Sequence, residues 1–229
     1  TLPVLLAGAG YRTCRIGKYH VAPEPVYHFE QEIKANPRNS VEMAERCAAF
    51  VGAQDARPFF LYFCTTDPHR SGDTVTDSPY KPNAFGNKAK GYAGVKTVRY
   101  DPRQVVVPPF LPDTPECRAE LAQYYQSVSR MDQGLGRLVQ VLKDAGVYEE
   151  TLLICISDNG IAFPGAKTTV YEPGIRLPCI VRKPHGKRPG KPTSAMVTWA
   201  DLAPTILDFC GVRFQKGAFH GRSFLAALD

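Results

Sequence analysis

Residues 58–64, PFFLYFC, form an apolar run with no charged residue in it. A strand with one wet face alternates apolar and polar side chains. This one does not alternate, so it is expected to be buried, as strands of parallel sheets covered by helices are. Residues 151–156, TLLICI, repeat the pattern, and 178–181, PCIV, repeat it more briefly. Between these runs the period changes. Leu121, Tyr125, Val128, Met131, Leu135, Leu138 and Leu142 recur at helical spacing, which predicts one long helix over 115–145. Thr114 is its N-cap, Pro115 suits the first helical position, Glu116 complements the helix dipole and Gly146 ends it. Residues 1–9 read as the tail of a helix ending at Gly10, and 12–17 as a short strand. Residues 40–51 read as a helix capped by Asn39 or Ser40, and 200–210 as a helix ended by Gly211. The alternation predicts an α/β layered fold with a mostly parallel central sheet flanked by helices. The stretch 65–113 reads as a long irregular connection, of the kind that usually carries function.

The chain has 229 residues, 44% of them hydrophobic, and a formal net charge of +6. That composition is expected to form one soluble domain over 1–229 with no second domain. No apolar run approaches the roughly 20 residues that cross a bilayer. The charge excess is spread out except for Arg182, Lys183, Lys187, Arg188 and Lys191 among Pro and Gly. Such a cluster is a solvated loop, or a rim that attracts a polyanion. No nucleic-acid-binding signature accompanies it. The seven cysteines include no Cys-x-x-Cys pair, and several lie in apolar stretches, as small core residues do.

Three polar clusters follow three expected strands: Lys18 and His20 in GKYH, Asp67 and His69 in DPHR, Asp158 and Asn159 in SDNG. Ligands of open α/β sheets bind outside the carboxyl ends of the strands. Asp158 and Asn159 offer a carboxylate and an amide carbonyl, hard oxygen donors suited to Ca²⁺ or Mg²⁺. Gly160 is expected to let the backbone turn after them. Lys18 brings a compact positive charge, and His20 and His69 bring proton transfer near neutral pH. Each cluster alone also reads as an ordinary turn. Their shared placement after strands favours a site for an oxyanion.

These residues carry a family resemblance. Residues 9–20, AGYRTCRIGKYH, resemble the A-G-Y-x-T-x-x-x-G-K-x-H segment of formylglycine-dependent sulfatases. RPFFLYFCTTDPH, the Y-x-x-S-V-S-R-M-D-Q-G-L-G stretch at 124–136, TLLICISDNG and DLAPTILD at 201–208 resemble further segments of that family in the same order. DPHR, RMDQG, YDP at 100–102 and SDNGIAFP are similar to its sulfamidase (N-sulfoglucosamine sulfohydrolase) branch. The resemblance implies an alkaline-phosphatase-like fold and hydrolysis of a sulfuric ester or sulfamate on a sulfated sugar or glycosaminoglycan. It implies one divalent cation, usually Ca²⁺, on Asp158 and Asn159. It implies sulfate oxygens held by Lys18, His69 and Lys167, and a nucleophile supported by His20. That nucleophile, a hydrated formylglycine made from Cys or Ser in C/S-x-P/A-x-R, attacks sulfur, while a histidine such as His69 protonates the leaving group. Tyr171, Glu172, Gly174, Arg176 and Pro178 resemble the E-G-G-x-R-x-P segment and read as structural. Relatives of this kind are lysosomal, periplasmic or secreted.

The departures matter as much. No cysteine or serine here begins C/S-x-P/A-x-R, and the family's Asp-Asp metal pair is missing. Both are expected before Thr1, and a C-terminal subdomain beyond Asp229, so the chain reads as a central portion that is inactive alone. Two alternatives stay open. One is a phosphodiesterase or phosphomutase of the alkaline-phosphatase superfamily. The other is a catalytically incomplete, anion-binding chain.

Overall fold

The computed structural model describes residues 1–70, 85–186, 190–215 and 217–228. Helix α1 (Leu2–Gly8) leads into strand β1 (Arg12–Gly17), and β2 (Gln31–Ile33) follows a 3₁₀ turn at Glu24–Tyr27. Helices α2 (Ser40–Arg46) and α3 (Ala48–Val51) precede β3 (Phe59–Cys64). The long helix α4 (Pro115–Asp144) then leads to β4 (Leu153–Ile156), α5 (Glu172–Ile175), β5 (Cys179–Arg182) and α6 (Leu202–Phe209).

Two caps decide the helix starts. The Asn39 side chain accepts from the Glu42 amide, so Asn39 rather than Ser40 caps α2. The Thr114 side chain accepts from the Cys117 amide at the start of α4. The single helix expected over 40–51 is instead two helices, which meet at Cys47. The helix expected from residue 200 starts at Leu202, after a 3₁₀ turn at Trp199–Asp201 with its own capping box.

The fold is the expected α/β arrangement, with the sheet in two pieces. β1 lies between β2 and β3 and pairs with both in parallel, from Arg12↔Phe59 to Gly17↔Cys64 on the β3 side. β4 and β5 pair antiparallel, Leu153↔Arg182 to Ile156↔Cys179. Both pieces lean on α4. Cys14, Ile16, Met43, Val51, Leu138 and Leu142 form one buried cluster, against which Phe59, Leu61, Phe63 and Leu153 pack. α2 crosses α4 so closely that a Cβ on Gly134 would stand 2.2 Å from Ser40 Cβ. At the same crossing Ser40 Oγ donates to the Arg130 carbonyl at 2.6 Å.

β3 is half-buried rather than covered on both faces. Phe59, Leu61 and Phe63 face the helices. Alternation turns Phe60 and Tyr62 the other way, where Phe29 stacks on Phe60 at 6.0 Å and Tyr62 stays 39% exposed. The irregular 85–113 segment contributes a core of its own. Phe85, Val105 and Leu111 pack with Leu121 and Ala122 of α4 and with Phe163. All seven cysteines are free thiols, with Cys14 and Cys47 fully buried. Among the described residues no helix is long and apolar enough to cross a membrane.

Candidate active site

The carboxyl ends of β1, β3 and β4 converge, although β4 belongs to the separate pair of strands. Gly17 ends β1 at φ +90°, and a Cβ there would lie 2.1 Å from the Cys64 carbonyl oxygen. That close approach lets the Lys18 amide donate to the same carbonyl at 2.7 Å, which fixes where Lys18 leaves the sheet. Its ammonium lies 3.9 Å from Asp158 Oδ2, in the loop after β4. Asp158 is largely exposed, so this long contact holds little energy by itself. Its value is as a ruler: it shows that the β1 and β4 ends share one space.

His69 closes the third side. Its imidazole is held below the usual histidine range, first by burial and then by the positive fields of Lys167, Lys18 and Arg38. Lys167 is placed by its own backbone, whose amide donates to the Ile161 carbonyl at 3.1 Å. Lys18, His69, Lys167 and Asp158, expected from the sequence to work together, are therefore neighbours. Cys64 also sits at this end, where burial pushes its thiol up and makes it a poor nucleophile.

Not every expected residue joins them. His20 is exposed, and among the described residues no hydrogen bond or ion pair engages it. The chain has turned by then: Tyr19 lies under the Arg15 guanidinium at 4.0 Å, and its hydroxyl donates to the Tyr27 carbonyl at 2.7 Å. Asp67 points away from the site. Its side chain is fully buried between Arg38 and Arg130. Burial pushes that carboxyl above the usual carboxylate range, and the two guanidiniums offset only part of the rise. Gly160 carries no positive φ; the expected sharp turn is not the reason for a glycine there. A Cβ at Gly160 would lie 2.3 Å from the Pro173 carbonyl oxygen, so close packing of the 160s loop on α5 requires it. Gly174 is packed as tightly, with the Thr169 carbonyl oxygen 2.3 Å from its ideal Cβ, as a structural reading of that segment expects. Of the basic cluster, residues 187–189 lie outside the described residues. Arg182 pairs with Glu149 and donates to the Tyr148 carbonyl.

The donors for a cation are right in type and few in number. The Asp158 carboxylate is open to solvent, and Asn159 commits its amide nitrogen to the Gly160 carbonyl at 3.2 Å, leaving a hard carbonyl oxygen. A hard divalent ion takes roughly six to eight such oxygens, and among the described residues no group of three His, Cys, Asp or Glu could hold a metal.

The pattern of motifs did not reveal what holds this site together. Arg130 grips Asp67 through Nε at 2.5 Å and Nη2 at 2.9 Å, and donates to Asn87 Oδ1 at 2.9 Å and the Phe85 carbonyl at 3.0 Å. Arg70 bridges the β3 and β4 loops. It pairs with Glu120, donates to the Ala162 carbonyl at 3.4 Å and lies over the Phe85 and Phe163 rings. Arg70 and Arg130 were visible as motif letters, but nothing local marked Arg38 or Asn87.

The sequence model of the Sulfatase family matches residues 1–212. Human N-sulphoglucosamine sulphohydrolase is 42% identical over 248 aligned residues, covering 100% of this chain and 49% of that protein. A protein solved in complex with its substrate D-glucosamine-2-N,6-O-disulfate superimposes with a TM-score of 0.69 at 21% identity, over 100% of this chain and 64% of that one. A phosphonate monoester hydrolase from Silicibacter pomeroyi superimposes with a TM-score of 0.67 at 18% identity, over 100% of this chain and 61% of that one. These two likenesses show the fold, which is alkaline-phosphatase-like. The chain spans about half the length of the human relative it matches.

Proposed function

The chain belongs to the sulfatase family, and from that premise we propose that it forms the central portion of the catalytic domain of a sulfuric-ester or sulfamate hydrolase. The proposed substrate is a sulfated sugar such as N-sulfoglucosamine, the compound class in the name of the human relative. One observation carries the reading: two lysines and a histidine with depressed basicity gather at the strand ends beside an exposed aspartate.

Lys18 and Lys167 bind the sulfate oxygens as point charges, and His69 donates a hydrogen bond to them or holds the proton for the leaving group. The electrostatics support that second role. In the free site burial first, and then two lysines and Arg38, oppose protonation of His69. A bound sulfate brings negative charge among the same groups, and by the same Coulomb logic raises the imidazole's affinity for a proton. The proton then arrives together with the substrate. Asp158 and Asn159 are the residues that would hold a divalent cation, proposed to be Ca²⁺, which when bound neutralises charge on a sulfate oxygen. His20 is assigned to support the nucleophile on its motif alone, and a formylglycine nucleophile is assigned on family membership alone.

The test uses the whole protein, produced with Ca²⁺ and the formylglycine-generating enzyme. Sulfate release from N-sulfoglucosamine or an aryl sulfate is expected, and His69→Gln or Lys167→Gln should lower kcat/KM by about 10²-fold or more. Turnover of a phosphodiester with both sulfated substrates untouched would move the protein to the phosphoryl-transfer branch of this fold.

A further inference from the structure

Arg38 has more partners than the charge of Asp67 requires. Arg130 already grips both carboxylate oxygens, and one bidentate guanidinium matches one carboxylate. Arg38 adds a second, with Nη1 donating to Asp67 Oδ1 at 2.7 Å and to the Phe85 carbonyl at 3.3 Å. Two guanidiniums against one carboxylate leave a positive charge in excess, and the Arg38 side chain is only 11% exposed. Burying surplus charge is unfavourable, so neutralising Asp67 does not account for Arg38.

Its other nitrogen does. Nη2 donates to the His69 backbone carbonyl at 3.2 Å. One planar fork therefore spans the start of the 67–70 loop and the residue that reaches the site. The loop is tied to the same neighbourhood at other points. The Thr66 amide donates to the Pro37 carbonyl at 2.8 Å, the His69 amide donates to the Thr66 carbonyl at 2.8 Å, and Thr65 Oγ1 donates to the Asp67 carbonyl at 2.7 Å. The opposite wall is shaped to admit the guanidinium. Gly86 has φ +62°, and a Cβ there would stand 2.7 Å from Arg38 Cδ and Nε.

We propose that Arg38 is the positioning residue for His69, its fork tying the His69 backbone to Asp67 so that the imidazole is fixed beside Lys18 and Lys167. The inference rests on the reading of that cluster as the sulfate-binding site. Lysine cannot take the place of Arg38, because an ammonium offers the charge without the two-pronged geometry.

The experiment compares the parent chain with Arg38→Lys and Gly86→Ala. Hydrogen exchange is followed at the His69 amide, and the imidazole titration of His69 by NMR. The Ile16 amide, on the central strand, reports the fold. Arg38→Lys is expected to speed exchange at His69 about tenfold or more and to move its titration midpoint up toward the ordinary range, with Ile16 unchanged. Gly86→Ala should give the same signature with the guanidinium retained but displaced. An Arg38→Lys chain whose His69 exchange and midpoint match the parent would sink the proposal. Loosening of Ile16 to the same degree would also overturn it, making Arg38 a general fold residue. Inorganic sulfate is titrated in parallel: the parent's His69 signals should shift, and the shift should weaken about tenfold in Arg38→Lys. If the parent ignores sulfate, the anion-site reading fails, while the exchange data still decide the role of Arg38.

Discussion

At the residue scale, the site divides into groups that face solvent and groups that hold them from behind. Lys18, His69 and Asp158 lie in the segments that follow β1, β3 and β4, so strand ends and residue type mark them as candidates. Asp67 fits the same pattern and lies elsewhere, because its buried partners Arg38 and Arg130 are 29 and 63 residues away in sequence. Nothing in DPHR distinguishes a carboxylate aimed at a ligand from one aimed at two arginines. The buried position makes a sharp prediction. Asp67→Asn should destabilise the chain by about 3–5 kcal/mol, because it strands two buried guanidiniums away from water, and Arg130→Met should cost less, because Arg38 still pairs with the carboxylate. The double variant should cost clearly less than the sum, since both remove the same pairing. Urea denaturation of the four proteins measures the coupling, and strict additivity would show that the pair is not the source of the cost.

At the element scale, helix patterns carried most of the information. The α4 spacing, its Thr114 cap and its stop at Gly146 all appear where the sequence put them, because a cap and an apolar stripe are local properties. Strand coverage is not local. PFFLYFC reads as buried on both faces, yet one face of β3 meets helices and the other meets Phe29 and solvent. The α2–α4 crossing was equally hidden, since Gly134 sits mid-helix, where glycine costs roughly 1 kcal/mol relative to alanine. Its reason is tertiary: a Cβ would lie 2.5 Å from the Ser40 carbonyl carbon as well as 2.2 Å from Ser40 Cβ. Gly134→Ala should therefore lower stability by about 1–3 kcal/mol despite its better helix propensity. A thermal melt of the variant at or above the parent's Tm would show that the crossing yields without strain.

At the scale of the whole molecule, the proposed site is a shell of basic groups with two candidate oxygen donors for a cation. Two donors are far short of what a hard divalent ion takes, so calorimetric titration of this 229-residue chain with Ca²⁺ should give a Kd weaker than about 1 mM. Micromolar binding would mean that the ligand set has been misassigned. The amino-acid sequence by itself determined the α/β class, the family, the long helix and the identities of Lys18, His69, Lys167, Asp158 and Asn159 as candidates. Periodicity, caps and motif letters are written along the chain and need no partner to be read. Only the tertiary structure decided that β4 and β5 pair apart from β1–β3, that the β1 and β4 ends nevertheless meet at Lys18 and Asp158, and that Arg38, Asp67 and Arg130 stand behind His69. Those outcomes depend on contacts between residues tens of positions apart, where burial, charge and close packing act through space and leave no local pattern.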